Sequence, residues 1–114
     1  MDNAESILTS IKKLLGIVEE YTQFDTDIII YINTVFMTLQ QLGIGPEEGF
    51  SITDENDVWT DFIEDSTLLN SVKTYIYLRV KLLFDPPLSS STVESFNKMI
   101  NETEWRMKLL NETK

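Results

Sequence analysis

Asp54, Glu55, Asp57, Asp61, Glu64 and Asp65 crowd into one stretch of the chain. Carboxylates at this density can do two kinds of chemistry. They can hold a hard cation through oxygen ligands, or act as a paired general acid and base. The run Asp54-Glu55-Asn56-Asp57 lacks the alternating ligands, central glycine and terminal glutamate of a calcium loop. Nothing in the pattern builds a pocket around an acid–base pair. A solvated acidic surface is the expectation, with no metal, cofactor or catalytic group. The chain has no histidine and no cysteine. That removes the commonest general base and metal ligand, together with thiolate chemistry and any disulfide framework. Gly45, in Gly43-Ile44-Gly45-Pro46, makes no phosphate loop: no strand precedes it and no Gly-Lys-Ser/Thr follows.

The cationic side chains are as unevenly spread as the acids. The net charge is −10, from 19 acids against 9 bases. No Lys or Arg lies between Lys13 and Lys73, a span that holds twelve acids. Nucleic-acid affinity rests on neutralising phosphates, so the isolated chain should bind DNA poorly. Lys73, Tyr77 and Lys81 recur on one side of an apolar helix and are expected on its solvated face. Arg79 falls among Val72, Tyr75 and Leu83 at about 100° per residue. A guanidinium there needs a carboxylate or carbonyls, which an intrachain ion pair or a contact to another subunit can supply.

The helix that carries these cations organises the chain. Leu68, Leu69, Val72, Tyr75, Ile76, Val80 and Leu83 form one apolar face. Ser66 is the expected N-cap. Pro86 and Pro87 disfavour helical geometry in the residues before them, which ends the helix at about Phe84. Ahead of it, residues 4–15 form a short first helix, with Ile7, Leu8, Ile11, Leu14 and Leu15 inward and Gly16 as terminator. Lys12 and Lys13 suit the dipole of its last turn. Residues 17–24 are a connector.

A second helix is expected over 26–42, capped by Asp25 and stopped by Gly43, with Ile28, Ile32, Val35, Leu39 and Leu42 as its seam. In the acidic loop over 47–65, Val58 to Ile63 should make a helical turn capped by Asp57. The last helix is expected over 92–111. Ser91-Thr92-Val93-Glu94 fits a capping box, and Val93, Phe96, Ile100, Met107 and Leu110 form the core stripe. Trp105 and Leu109 project from the other side. Trp105 either packs beneath Pro86 and Pro87 or anchors a neighbouring subunit, since Trp is favoured at interface centres.

The expected fold is all-α: one domain over 1–114, a compact bundle of three main helices with a short N-terminal helix and a helical turn in the acidic loop. No apolar run reaches the ~20 residues of a membrane span, and no signal-peptide pattern opens the chain. A cytosolic compartment is expected.

Three stretches carry a family likeness. They are Val72-Lys73-Thr74-Tyr75-Ile76-Tyr77-Leu78-Arg79-Val80-Lys81-Leu82-Leu83-Phe84-Asp85-Pro86-Pro87, then Ser90 to Leu109 with Glu104-Trp105-Arg106, and Ile44 to Ile63 upstream. Together they resemble the head–tail connector (adaptor) proteins of long-tailed bacteriophages and prophages, also described as DNA-packaging or head-completion proteins. The resemblance implies a virion subunit, without enzymatic activity or cofactor, that forms a ring, usually twelvefold, beneath the portal protein. Such a ring extends the DNA channel and receives a stopper or tail-completion protein, after assembly in the host bacterial cytoplasm. It further implies that the Tyr75–Pro87 segment and the last helix serve subunit packing and portal docking.

A ring of identical subunits needs two different faces on each. The acidic loop and the Lys73/Lys81 face are one complementary pair to expect, and an acidic channel lining would leave DNA mobile. The alternative reading is an acidic binding module, either a DNA mimic for the basic cleft of a nucleic-acid enzyme or a small helical adaptor.

Overall fold

The computed structural model describes residues 5–112. Five helices follow one another: α1 (Ile7–Leu14), α2 (Asp25–Gln41), α3 (Trp59–Phe62), α4 (Ser66–Phe84) and α5 (Ser90–Glu112). No strand forms among the described residues. The nearest approach to sheet is an isolated bridge between Ser6 and Val58, which ties the acidic segment to the start of α1. The fold is all-α, as expected.

α4 is the central element. It packs most extensively on α5 and next on α2, with α1 closing one end. Burial explains the order. Leu68, Leu69, Val72, Tyr75, Ile76 and Val80 are fully enclosed, and Leu78 joins them from what a helical wheel places outside. A helix covered on two sides is apolar over most of its circumference. The other inward residues include Ile28, Ile32, Val35, Phe36 and Leu39 of α2, Ile7, Leu8 and Ile11 of α1, and Ile100 and Met107 of α5. In the acidic segment, Phe50 and Phe62 stack at tilted or edge-on angles with Phe36, at centroid distances of 4.8 to 5.3 Å.

Several caps differ from expectation by one or two residues. Ser6 Oγ caps α1, accepting from Thr9 N at 3.1 Å. Asp65, not Ser66, caps α4, accepting from Thr67 N and Leu68 N at 3.0 and 3.2 Å; its longer reach to two orphan donors decides the register. Asp25 does not cap α2, whose N-cap is Phe24 with no side-chain bond, because its carboxylate is held elsewhere by Lys12. Asp57 does not cap α3. Its Oδ2 accepts from Thr53 N at 2.7 Å and Asp54 N at 3.2 Å, closing the turn before it. For α5, Ser89 Oγ accepts from Thr92 N at 3.3 Å, so the cap lies two residues ahead of the Ser91–Glu94 box. The end of α4 at Phe84 falls where the two prolines demand. Gly43 ends α2 in the left-handed region at φ 80°. Of the first helix expected over 4–15, Ala4 lies outside the described residues, and Leu14 is exposed rather than inward.

Candidate subunit interface

The cations of α4 do not share a solvated face. Lys73 is mostly covered; its ammonium lies 3.1 Å from Glu5 Oε1 and 5.5 Å from the Trp59 ring centroid. Lys81 bonds Asp85 Oδ2 one turn on, at 2.9 Å. Tyr77 is half-buried with its ring 6.2 Å from that of Phe96. The solvated-face expectation is corrected on all three. A wheel drawn on α4 alone takes no account of Glu5 and Trp59, which lie against Lys73, or of Phe96, which lies against Tyr77.

Arg79 takes the intrachain option. Its Nη2 donates to Glu104 Oε2 at 3.1 Å, and its Nε donates to the Tyr75 hydroxyl at 2.7 Å. Tyr75 in turn donates to Glu104 Oε2 at 2.6 Å. The three groups lock α4 to α5. Burial, and then the bond to Glu104, push the Tyr75 phenol up to about 12. For Arg79, burial opposes the charge, but the bonds to Glu104 and Tyr75 outweigh it, so its pKa is raised. The ion-pair energy is modest, because the guanidinium side chain keeps 37% of its exposure.

The acidic residues are divided by the fold. Asp57 and Asp65 serve local backbone, and Asp54 Oδ1 accepts from Asn56 N at 2.8 Å. The backbone N–H of Thr53 holds Asp57 below the usual carboxylate value against partial burial, with Asp54 N–H and the Thr53 hydroxyl assisting. Glu55, Asp61 and Glu64 face solvent. Among the described residues no three carboxylates gather where they could hold a metal ion.

The last helix presents a different surface. Its inward stripe runs Val93, Phe96, Ile100, Thr103, Met107, Leu110, and Thr103 is satisfied by Met99 O at 2.7 Å. Opposite that stripe, Trp105 is 65% exposed and Leu109 43%. Trp105 is therefore not packed beneath Pro86 and Pro87. Around it stand Lys98, Arg106 and Lys108, all exposed. None enters the ion pairs found among the described residues, which join Lys12–Asp25, Lys73–Glu5, Arg79–Glu104 and Lys81–Asp85. A helix pinned to α4 by Arg79 and Glu104 thus offers solvent an indole, a leucine and three free cations. No reaction chemistry follows from such a set.

A family model described as "Phage connector protein" matches residues 7–114. The chain belongs to the phage connector protein family. No curated protein and no solved structure matches it. A connector is a structural component of the phage particle, non-enzymatic in kind, and works by association with other head and tail proteins. No helix among the described residues is long and apolar enough to cross a membrane.

Two features of this connector escaped the sequence reading. Lys12, assigned to the helix dipole, is buried at 2% exposure. Its ammonium donates to Glu19 O at 3.0 Å and Tyr21 O at 2.8 Å, and sits 2.8 Å from Asp25 Oδ1. That oxygen has no hydrogen bond of its own, so the ion pair is its compensation. The second is a recess of about 410 Å³ lined by Leu15, Ile17, Tyr21, Phe24, Phe84 and Asp85. Its signal was present in the sequence: a "connector" over 17–24 that carries Ile17, Val18, Tyr21 and Phe24 is too apolar for an idle loop.

Proposed function

We propose that this connector assembles as a ring beneath the portal of the filled capsid, extends the DNA channel, and receives the stopper or tail-completion protein. Membership of the phage connector family over residues 7–114 carries the reading. The unpartnered outer face of α5 supports it, since an exposed Trp beside free cations suits a protein contact better than a solvated surface. Within this proposal Trp105 and Leu109 contact neighbours. Lys73, Tyr77, Arg79 and Lys81, with their charges and rings engaged inside the chain, hold the subunit in shape for that contact. Exposed acids such as Glu55, Asp61 and Glu64 keep DNA from sticking, because they offer phosphates nothing to neutralise them.

Electron microscopy of the purified protein mixed with its portal tests this. A ring of added density under the portal is expected, and the protein alone should remain small. Portal particles with no added density at a large excess of the protein refute the proposal.

A further inference from the structure

We infer that the subunit carries both halves of a head-to-tail contact: Trp105 of one copy seats in the aromatic recess between α1, α2 and the end of α4 of the next. This rests on the ring reading above and specifies its interface. The two halves suit each other in shape. Trp105 stands free on the outer face of α5. In the recess, Phe24 meets Phe84 edge-on at 5.3 Å and Tyr21 meets Phe24 at 5.7 Å, walls that favour an indole. At about 410 Å³ the recess has room for that side chain.

They suit each other in charge. Lys98, Arg106 and Lys108 flank the indole, against the two acids Glu102 and Glu112 on the same stripe. Asp85 lines the recess, and Glu19 and Glu20 stand exposed in the chain between its wall residues Ile17 and Tyr21. Copies of a chain with net charge −10 repel one another overall. A patch with a small net positive charge meeting acidic residues makes this an approach of lower repulsion than the rest of the surface. The larger cavity, about 520 Å³, has no aromatic wall and includes the Lys13 cation among its lining residues, so it suits an indole flanked by cations less well.

They cannot meet within one subunit. Phe84 lies where α4 turns into α5, whereas Trp105 stands fifteen residues along α5 from Ser90, roughly 22 Å at the helical rise, and points outward. Knob and recess are different patches, so the contact is heterologous and propagates from copy to copy until a ring closes.

The chain has no cysteine, so single-cysteine variants report the contact directly. Glu102→Cys, one turn from the indole, is mixed with Val18→Cys, exposed next to Ile17 of the recess wall, and assembled on portals under oxidising conditions. Met37→Cys, exposed on α2, replaces Val18→Cys in the control. A disulfide between Glu102→Cys and Val18→Cys copies, absent with Met37→Cys, is expected. Trp105→Ala should leave helical content unchanged and lower association at least about tenfold, as loss of an interface anchor does. Rings that form without the Glu102–Val18 cross-link overturn this contact and leave the ring reading standing. Cross-linking of Glu102→Cys to itself, a two-fold arrangement, overturns it as well. Absence of rings for the parent protein overturns both.

Discussion

Lys12→Met should destabilise this connector more than any surface substitution, although its position in the sequence looks like an ordinary helix end. The ammonium has three polar neighbours, Glu19 O, Tyr21 O and Asp25 Oδ1, at 3.0, 2.8 and 2.8 Å. Methionine fills the same space and satisfies none of them. Removing one partner of a buried ion pair costs about 3–5 kcal/mol, because the other charge is left without compensation. Asp25 retains 20% of its side-chain exposure, so water can recover part of the loss and the lower bound applies, about 3 kcal/mol. At about 4 °C per kcal/mol for a domain of this size, the melting temperature should fall by about 12 °C. Circular dichroism during thermal and urea unfolding reads both quantities.

Lys12→Met/Asp25→Asn should recover part of the loss, because it removes the stranded charge. Lys12 also ties residues 19 and 21 to α1 and α2, and so shapes the lip of the recess; the variant should assemble poorly even at temperatures where it stays folded. A loss below about 1 kcal/mol for Lys12→Met would place it with ordinary surface changes and refute the claim that this cation holds the 17–24 segment.

The Tyr75 phenol is raised from its usual 10 to about 12 in the fold, so its contribution to stability is complete below pH 10 and is lost as pH climbs through 12; Tyr75→Phe should flatten alkaline unfolding in that window, and the phenolate absorbance it removes should titrate near 12. Asp57 is lowered from 3.8 by the Thr53 N–H, so its stabilisation is present above that value and disappears as acid protonates it in the fold. Asp57→Asn should cost about 1–2 kcal/mol at neutral pH and nothing in strong acid, as read by urea midpoints. Gly45 sits at φ 90° with the Phe62 ring where a Cβ would go. Gly45→Ala should cost about 2–4 kcal/mol from strain and overpacking together, seen as a lower urea midpoint with an unchanged slope. Trp105→Ala should leave the monomer within about 0.5 kcal/mol of the parent, which separates its role from folding.

Much of the chain was legible because it is written locally. The stop at Phe84 follows from Asp85-Pro86-Pro87, and the turn at Gly43 from a residue free to adopt positive φ. The stripes of α2 and α5 follow from spacing alone, and the all-α class from their sum. Caps slipped by a residue or two because Asp65 competes with Ser66, and Ser89 with Ser91, for the same orphan N–H groups. Which of two neighbours wins depends on a backbone geometry the sequence does not display.

What faces what was decided by tertiary packing. Lys73 and Lys81 looked solvated, and Lys12 looked like a dipole partner, because periodicity describes one helix in isolation. Glu5 and Trp59 lie against Lys73, Asp85 holds Lys81, and the 17–24 loop folds over Lys12. Arg79 was legible as a cation in need of a partner; that the partner is Glu104, twenty-five residues away, required α5 to return antiparallel along α4. The recess at Phe24 and Phe84 belongs to no single segment. It exists because three helix ends meet there, and a meeting of distant segments leaves no mark within any one of them.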